Sequence, residues 1–303
     1  MKKILFIETG GTVACLPTEN GLVPLSIIPE MRVQGTEISR RKLFSLDSGN
    51  IAPSHWQKIA RTIAESYNEY DGFLIIHGTD TMSYTSASLF YMLQGLDKPV
   101  ILTGAQNPLA EKGGDAMPNL ISATCAARDI KRGVYIVFSG NIIKACSAVK
   151  LYSKSGDAFI DTLGYAGSAN SESARLFYGE WPPNTDAKGF LLKDKLCTKV
   201  FYLKITPNLS GEIIEFIKNQ GYKGLLIEGY GLGGIQETLL NSIGQLASEG
   251  VRVIFVSGCV YEGADLTIYQ TGRAALKSGI EDGGNMTAAH ALIKLMWELG
   301  NSL

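Results

Sequence analysis

Seven short, mainly apolar runs rich in β-forming residues, at positions 4–7, 73–76, 100–102, 134–138, 200–205, 225–227 and 251–256, recur along the chain with amphipathic stretches between many of them. An uninterrupted apolar run of this length reads as a strand buried on both faces, the habit of parallel sheets; a half-exposed strand would alternate. The clearest intervening helix places Trp56, Ile59, Ala60, Ile63, Ala64 and Tyr67 on one stripe, with Lys58, Arg61, Glu65 and Asn68 elsewhere around the cylinder. Further helices are expected at 83–94, 119–129, 211–218, 237–248 and 287–299. Strand alternating with helix predicts an α/β protein.

Most of these strands run straight into a glycine or small polar turn: ETGGT, HGTDT, TGAQN, FSGN, EGYGLGG and VSGC. Composition agrees, with 34 glycines in 303 residues where average usage gives about 21. Ligands of open α/β sheets bind beyond the carboxyl ends of the strands, so these turns are where a site is expected. A chain of 303 residues also exceeds the roughly 250–300 at which single cores stop growing. Around 179–199 the sequence Glu-Trp-Pro-Pro-Asn and a run of mixed charges interrupt the alternation. An N-terminal α/β domain over 1–180, a linker over 181–199 and a second α/β domain over 200–303 are therefore expected.

With 28 basic against 29 acidic side chains and a net charge of −1, the chain has no global field to hold a polyanion, and nucleic acid is not an expected partner. Five scattered cysteines without a CxxC pair suggest neither a disulfide framework nor a zinc ribbon, and point to a reducing cytoplasm. The four apolar residues between Lys3 and Glu8 are too few for a signal peptide, and no run approaches the ~20 residues of a membrane span. Three histidines without HExxH spacing, and the absence of GxSxG and Walker-type loops, leave no metal or phosphate signature. His55 and His290 read as structural, while His77, at a strand end, is compatible with core or site. Gly229-Tyr-Gly-Leu-Gly-Gly234 has the form of a dinucleotide loop, but the next strand ends in Ser257-Gly258-Cys259 without the acid that would hold a ribose. It reads as a glycine-rich turn, and no cofactor is expected.

Two turns combine the groups of an acyl-transfer site. Thr9-Gly-Gly-Thr12 and Gly78-Thr-Asp-Thr81 bring threonine hydroxyls, glycine-exposed amides and a carboxylate to the ends of two strands. A threonine hydroxyl attacks only when a base takes its proton, and the amides of Gly10, Gly11 and Gly78 are expected to be free to stabilise an oxyanion.

At these turns the sequence resembles the bacterial-type L-asparaginase and glutaminase-asparaginase family, and the likeness runs over nearly the whole chain. ETGGTVA is similar to the family's first nucleophile motif. LIIHGTDTMSYTSASL followed by KPVILTGAQNPL resembles its second, while GDAMPNL, DSGNIAPSHW and the C-terminal GYGLGG, SGCVYEG and GNMTAAHALIKLMWELG look most like the cytoplasmic type I branch. The resemblance implies a two-domain parallel-sheet sandwich, with a larger flavodoxin-like N-terminal domain and a smaller Rossmann-like C-terminal one. It implies a cofactor-free, metal-free hydrolase that converts L-asparagine to L-aspartate and ammonia through an acyl-enzyme on threonine; glutamine or another amino-acid amide is the alternative substrate, and a non-catalytic amino-acid sensor the alternative role. Carried over, Thr12 is the nucleophile, with Thr79, Asp80 and Lys150 in SAVKLYSKSGDAF as the second catalytic group and Lys154 as the second-ranked lysine. Gly11, Ser48, Gly49, Thr79 and Asp80 would contact a small zwitterionic substrate, Asp80 meeting its ammonium and Ser48, with nearby amides, its carboxylate. Gln236 would be lent by a neighbouring chain of a homodimer or homotetramer. Two departures stand out: Leu22 occupies the place of a lid tyrosine, and Gly49 that of a glutamine in secretory members. Residues 13–41 resemble the active-site lid.

Overall fold

The segment Lys2–Gly10 forms β1, whose residues from Ile4 to Ile7 are almost completely shielded from solvent. The computed structural model describes residues 1–19, 21–24, 28–179 and 189–302, the side chains of Pro17, Leu22 and Pro24 aside. These residues fall into two compact units, Met1–Asp194 and Lys195–Leu303.

In the first unit β1 is followed by a hairpin of β2 (Cys15–Thr18) and β3 (Gly21–Pro24), then β4 (Thr36–Leu46), α1 (Pro53–Glu65), β5 (Gly72–Ile76), α2 (Met82–Met92), the short β6 (Leu93–Gln94), β7 (Pro99–Thr103), α3 (Ala116–Asp129) and β8 (Gly133–Phe138). Strands β9 (Asn141–Lys144), β10 (Ala148–Lys150), β11 (Phe159–Asp161), β12 (Gly167–Ala169), β13 (Ala174–Leu176) and β14 (Leu191–Leu192) complete it. Eight strands make the main sheet in the order β13-β12-β9-β8-β7-β5-β1-β4. Its parallel part, β4-β1-β5-β7-β8, has the 2-1-3-4-5 order of a flavodoxin-like fold. The order reverses at β1, which lies between β4 and β5, and the carboxyl end of β1 is therefore where a ligand crevice belongs. One face of the sheet packs Ile4, Phe6, Leu74, Ile76 and Ile101 against Leu120, Ala123 and Ala127 of α3. Helix α2 lies against β8 and beside α1. Each fully buried Ile or Leu contributes about 1.5–3 kcal/mol.

The expected two-domain α/β architecture is present, with the sheet of the first unit mixed and not wholly parallel. After Phe138 the chain reverses through Ser139 (φ 49°) and Gly140 (φ 77°), a two-residue turn with both central residues left-handed, which matches strand twist and starts the antiparallel β9. Strand β4 is a second difference, because it takes residues 36–41 out of the expected lid and into the sheet. Its polar, partly exposed side chains mark an edge strand, where charges discourage further pairing. Arg40 there pairs with Glu8 at 2.6 Å. Of the expected linker, 181–188 lie outside the described residues, and Leu191–Leu192 pairs with Leu93–Gln94.

The second unit is a four-stranded, all-parallel sheet of β15 (Val200–Lys204), β16 (Gly224–Gly229), β17 (Arg252–Ser257) and β18 (Ile280–Asp282) in sequential order. On one face lie α4 (Glu212–Asn219), α5 (Glu237–Ser248) and α6 (Gln270–Lys277), through Ile214, Ile217, Leu239, Ile243, Leu246 and Ala275. On the other lies α7 (Ala288–Asn301), whose Ala291 and Leu295 meet Leu226, Ile254 and Val256. The Gly229–Gly234 loop is closed on itself: Tyr230 N–H donates to Gly234 O, and the amides of Gly233 and Gly234 donate to Tyr230 O. Those three amides are spent within the turn. No helix among the described residues is long and apolar enough to cross a membrane.

Candidate active site

Three strand ends meet where the strand order reverses, and glycine permits it. A Cβ on Gly10 would lie 2.4 Å from Leu46 N, one on Gly11 2.4 Å from Gly78 N, and one on Gly78 2.7 Å from Ser48 Oγ. Gly11 also has φ +80° with ψ 178°, a region essentially reserved for glycine that costs a residue with a Cβ roughly 1–3 kcal/mol. Gly11→Ala is therefore expected to lower stability by about 2–4 kcal/mol, the sum of that strain and a backbone clash, read as a falling urea midpoint; an unchanged midpoint would show that the three turns are not in contact.

Thr12 opens a short 3-10 turn, Thr12–Ala14, and its side chain is partly exposed, while Thr9 is buried and donates its hydroxyl to Ile76 O at 2.8 Å. Thr9 thus ties β1 to β5, and Thr12 is the hydroxyl presented at the surface. From the next strand end, Thr79 is buried and Asp80 exposed. Lys150 Nζ lies 2.7 Å from Thr79 Oγ1 and 2.6 Å from Asp80 Oδ1. The lysine stands on β10 opposite Phe159, which is buried and packs edge-on against Phe138 at 5.1 Å between ring centres. Lys154 is exposed in the following loop.

Ser48 is buried in the turn after β4. Its Oγ accepts from the Asp80 amide at 3.2 Å, and its carbonyl accepts from the Thr81 hydroxyl at 2.8 Å. With a lone pair engaged, the Ser48 hydroxyl keeps its proton to donate. Gly49 is exposed and its N–H donates to Asp47 Oδ1 at 2.9 Å, while the Asn50 amide donates to Asp47 O. The help expected from neighbouring amides is therefore not available from these two. The amide of Gly11 is likewise taken, by Leu46 O at 3.0 Å, against its expected role in an oxyanion site. Gln236 belongs to the second unit, just before α5, and donates Nε2 to Thr206 O and Pro207 O at 3.1 Å each. The side chain of Leu22 lies outside the described residues; its backbone pairs with Pro17.

The structure adds Gln106, which sequence reasoning passes over. Its Oε1 accepts from the Thr79 hydroxyl at 3.3 Å, and its Nε2 reaches toward the carbonyls of Tyr152 and Ser155 at 3.4 Å each. Asp115 holds this turn by accepting from the amides of Gln106 and Asn107 at 2.9 and 2.8 Å. Asn119 donates to both Gly104 O and Asp115. The signal is present in TGAQN and GDAMPNL, but only as family likeness, since nothing in either run points to Thr79.

His77 precedes these groups and is completely buried. Burial pushes its pKa down to about 4, against a smaller upward pull from its bond to Gly78 O. An unfolded chain binds this proton near pH 6.5 and the folded one only near pH 4. The cost to the fold is thus absent above pH 6.5, grows as the pH falls to 4, and levels off at ~3 kcal/mol. Substituting His77 by Asn is expected to remove that part of the acid slope in Tm; an identical slope would mean the imidazole is protonated inside the fold. Among the described residues no group of His, Cys, Asp and Glu is placed to hold a metal.

Residues 3–180 match the family model of the asparaginase N-terminal domain, and 199–303 that of the glutaminase/asparaginase C-terminal domain. The chain is 34% identical to an L-asparaginase of Thermococcus kodakarensis over 99% of its own length and 93% of that protein's. It is 30% identical to L-asparaginase 1 of Escherichia coli, over 100% and 93%. A glutamyl-tRNA(Gln) amidotransferase subunit of Pyrococcus abyssi is 33% identical, over 100% of this chain and 73% of that one. The crystal structure of L-asparaginase I from Vibrio cholerae superposes with a TM-score of 0.87 at 27% identity, covering 100% of this chain and 94% of that one. The thermostable enzyme of T. kodakarensis superposes with 0.90, covering 99% and 93%. The chain belongs to the asparaginase/glutaminase family of amidohydrolases.

Proposed function

We propose that the protein is a cytoplasmic L-asparaginase that hydrolyses the side-chain amide of L-asparagine without a cofactor, using catalytic groups from residues 1–180. One observation carries the reading: a lysine ammonium in contact with both Thr79 and Asp80, on the strand end whose Gly78 touches the turn carrying Thr12. In this mechanism Thr12 Oγ attacks the amide carbon, the C–N bond breaks, ammonia leaves with a proton, and an aspartyl ester remains on Thr12. Water then attacks the ester, its proton is relayed through Thr79, the Lys150 amino group and the Asp80 carboxylate to the Thr12 oxygen as the ester C–O bond breaks, and aspartate is released with the threonine restored. The exposed Asp80 carboxylate meets the substrate's ammonium and the Ser48 hydroxyl its carboxylate. Glycine at 49 offers the ammonium no side-chain acceptor and favours weaker binding. With leucine at 22, the Thr12 proton leaves through water, through Lys150 or through a group from a neighbouring chain of a homodimer or homotetramer, which would also lend Gln236.

Asparagine and glutamine differ by one methylene, worth about 1–3 kcal/mol in a fitted pocket. Coupled ammonia assays are expected to give a kcat/KM for asparagine about 10-fold or more above that for glutamine. The reverse order would make the protein a glutaminase. The similarity to glutamyl-tRNA(Gln) amidotransferase subunits favours ammonia release as the chemistry under either substrate.

A further inference from the structure

The lysine that meets Thr79 and Asp80 stands on a slender support. Strands β10 and β11 form a two-stranded sheet of their own, apart from the eight-stranded one, with three residues in each strand. A hairpin of that size is marginal in water and has to be held by its surroundings. One tie is apolar: Phe159, opposite Lys150, rests on Phe138 of β8. Apolar contact is non-directional and leaves the hairpin free to tilt. The other tie is ionic. Lys144 ends β9 and pairs with Tyr135 of the main sheet, while Asp161 ends β11 opposite Ala148. Lys144 Nζ lies 3.0 Å from Asp161 Oδ2, and only 8% and 0% of the two side chains is accessible.

The bonds around this pair run to fixed points of the backbone. Asp161 Oδ2 also accepts from the Lys144 N–H at 2.9 Å, and Oδ1 accepts from the Leu163 N–H at 3.0 Å. The ammonium of Lys144 donates in addition to Gly164 O. Burying two charges costs desolvation that their attraction does little more than offset, so a well-packed apolar pair would hold the hairpin at least as firmly. What the ion pair adds is direction, because short, angular, charge-assisted bonds specify where the end of β11 sits against the end of β9. Lys150 follows Ala148 by two residues, roughly 7 Å along β10. A tilt at the tie is therefore carried to the ammonium, and a misplacement of about 1 Å is enough to cost about 100-fold in rate.

We propose that Lys144 and Asp161 are positioning residues: their buried ion pair fixes the β10–β11 hairpin on the main sheet so that the Lys150 ammonium meets Thr79 and Asp80. The proposal rests on the amide-hydrolysis reading and refines it. Its test separates holding the fold from aiming the lysine. Asp161→Asn leaves the Lys144 ammonium buried without a counter-charge, whereas the double variant Lys144→Met/Asp161→Asn leaves no charge at the tie. The double variant is therefore expected to melt above Asp161→Asn. Assayed on asparagine well below both melting temperatures, each is nevertheless expected to show kcat about 10- to 100-fold below wild type, with KM within about 3-fold. A double variant whose kcat stays within about 3-fold of wild type would overturn the proposal and leave the pair a structural one. A crystal structure of the double variant gives a reading independent of turnover. The distance from Lys150 Nζ to Thr79 Oγ1, 2.7 Å in the wild-type chain, is expected to open beyond about 3.5 Å, where the hydrogen bond is lost. An unchanged distance would overturn the positioning role, whereas a wild-type protein silent on asparagine would overturn the hydrolysis reading alone.

Discussion

Thr12→Val is expected to cut ammonia release from L-asparagine by roughly 10⁴-fold or more, the order seen when a covalent nucleophile is removed, with Tm essentially unmoved. The two halves of this expectation have separate causes. Thr12 is partly exposed at the start of a 3-10 turn whose backbone bonds, Ala14 N–H to Gly11 O and Cys15 N–H to Thr12 O, do not involve its side chain. Valine has the same shape, so the fold loses at most ~0.5 kcal/mol. The chemistry loses its only candidate for a presented hydroxyl on that turn. Thr79→Val is a less clean experiment: Thr79 is buried, accepts from Lys150 and donates to Gln106, so its loss also leaves those partners short and costs about 1–3 kcal/mol of stability. Undiminished turnover in purified Thr12→Val would remove threonine 12 from the mechanism.

The second large effect belongs to Lys150. Replacement by Met preserves the length and apolar stem but deletes the ammonium that contacts Thr79 Oγ1 and Asp80 Oδ1. Asp80 is largely exposed, with 65% of its side chain accessible against 18% for Lys150, so the pair contributes only about 0–1 kcal/mol to the fold. Activity is expected to fall by about 10²–10⁴-fold, the range of a general acid–base group, and chiefly in kcat. A change confined to KM would make the lysine a substrate-binding group, and no change would remove it from the site. Lys154→Met, at the exposed alternative, should leave kcat near wild type.

The central strands are legible in the sequence because burial on two faces leaves mostly apolar residues, as in β5 and β7, where every residue is buried, whereas β15, at the edge of its sheet and expected to be buried, is buried only at Leu203. The helix over 237–248 is likewise legible from its amphipathic period. What the pattern conceals has the opposite character. Strand β4 is an edge strand with charges along it, and β9 to β13 are short and joined by tight turns, so neither gives a long periodic signal. Within the site, Thr12, Thr79 and Asp80 are legible as turn chemistry at strand ends. Lys150 is not, because a lysine in a short hairpin reads as solvated until the strand pairing that aims it is known. Amide availability is also beyond reach: Gly11 and Gly49 have the freedom that glycine gives, but their N–H groups are claimed by Leu46 and Asp47. His77 illustrates the same limit, since its two partners are one and eight residues away and only the fold brings both to one ring.

Turnover of L-asparagine by the purified protein, measured as ammonia and aspartate together and set beside a calorimetric titration with the same substrate, is the most direct test of the asparaginase assignment. Saturable release of both products in equal amounts, lost in Thr12→Val, is the predicted result. Saturable binding of asparagine with no ammonia from asparagine or glutamine would contradict it and leave an amino-acid-binding protein in place of the enzyme.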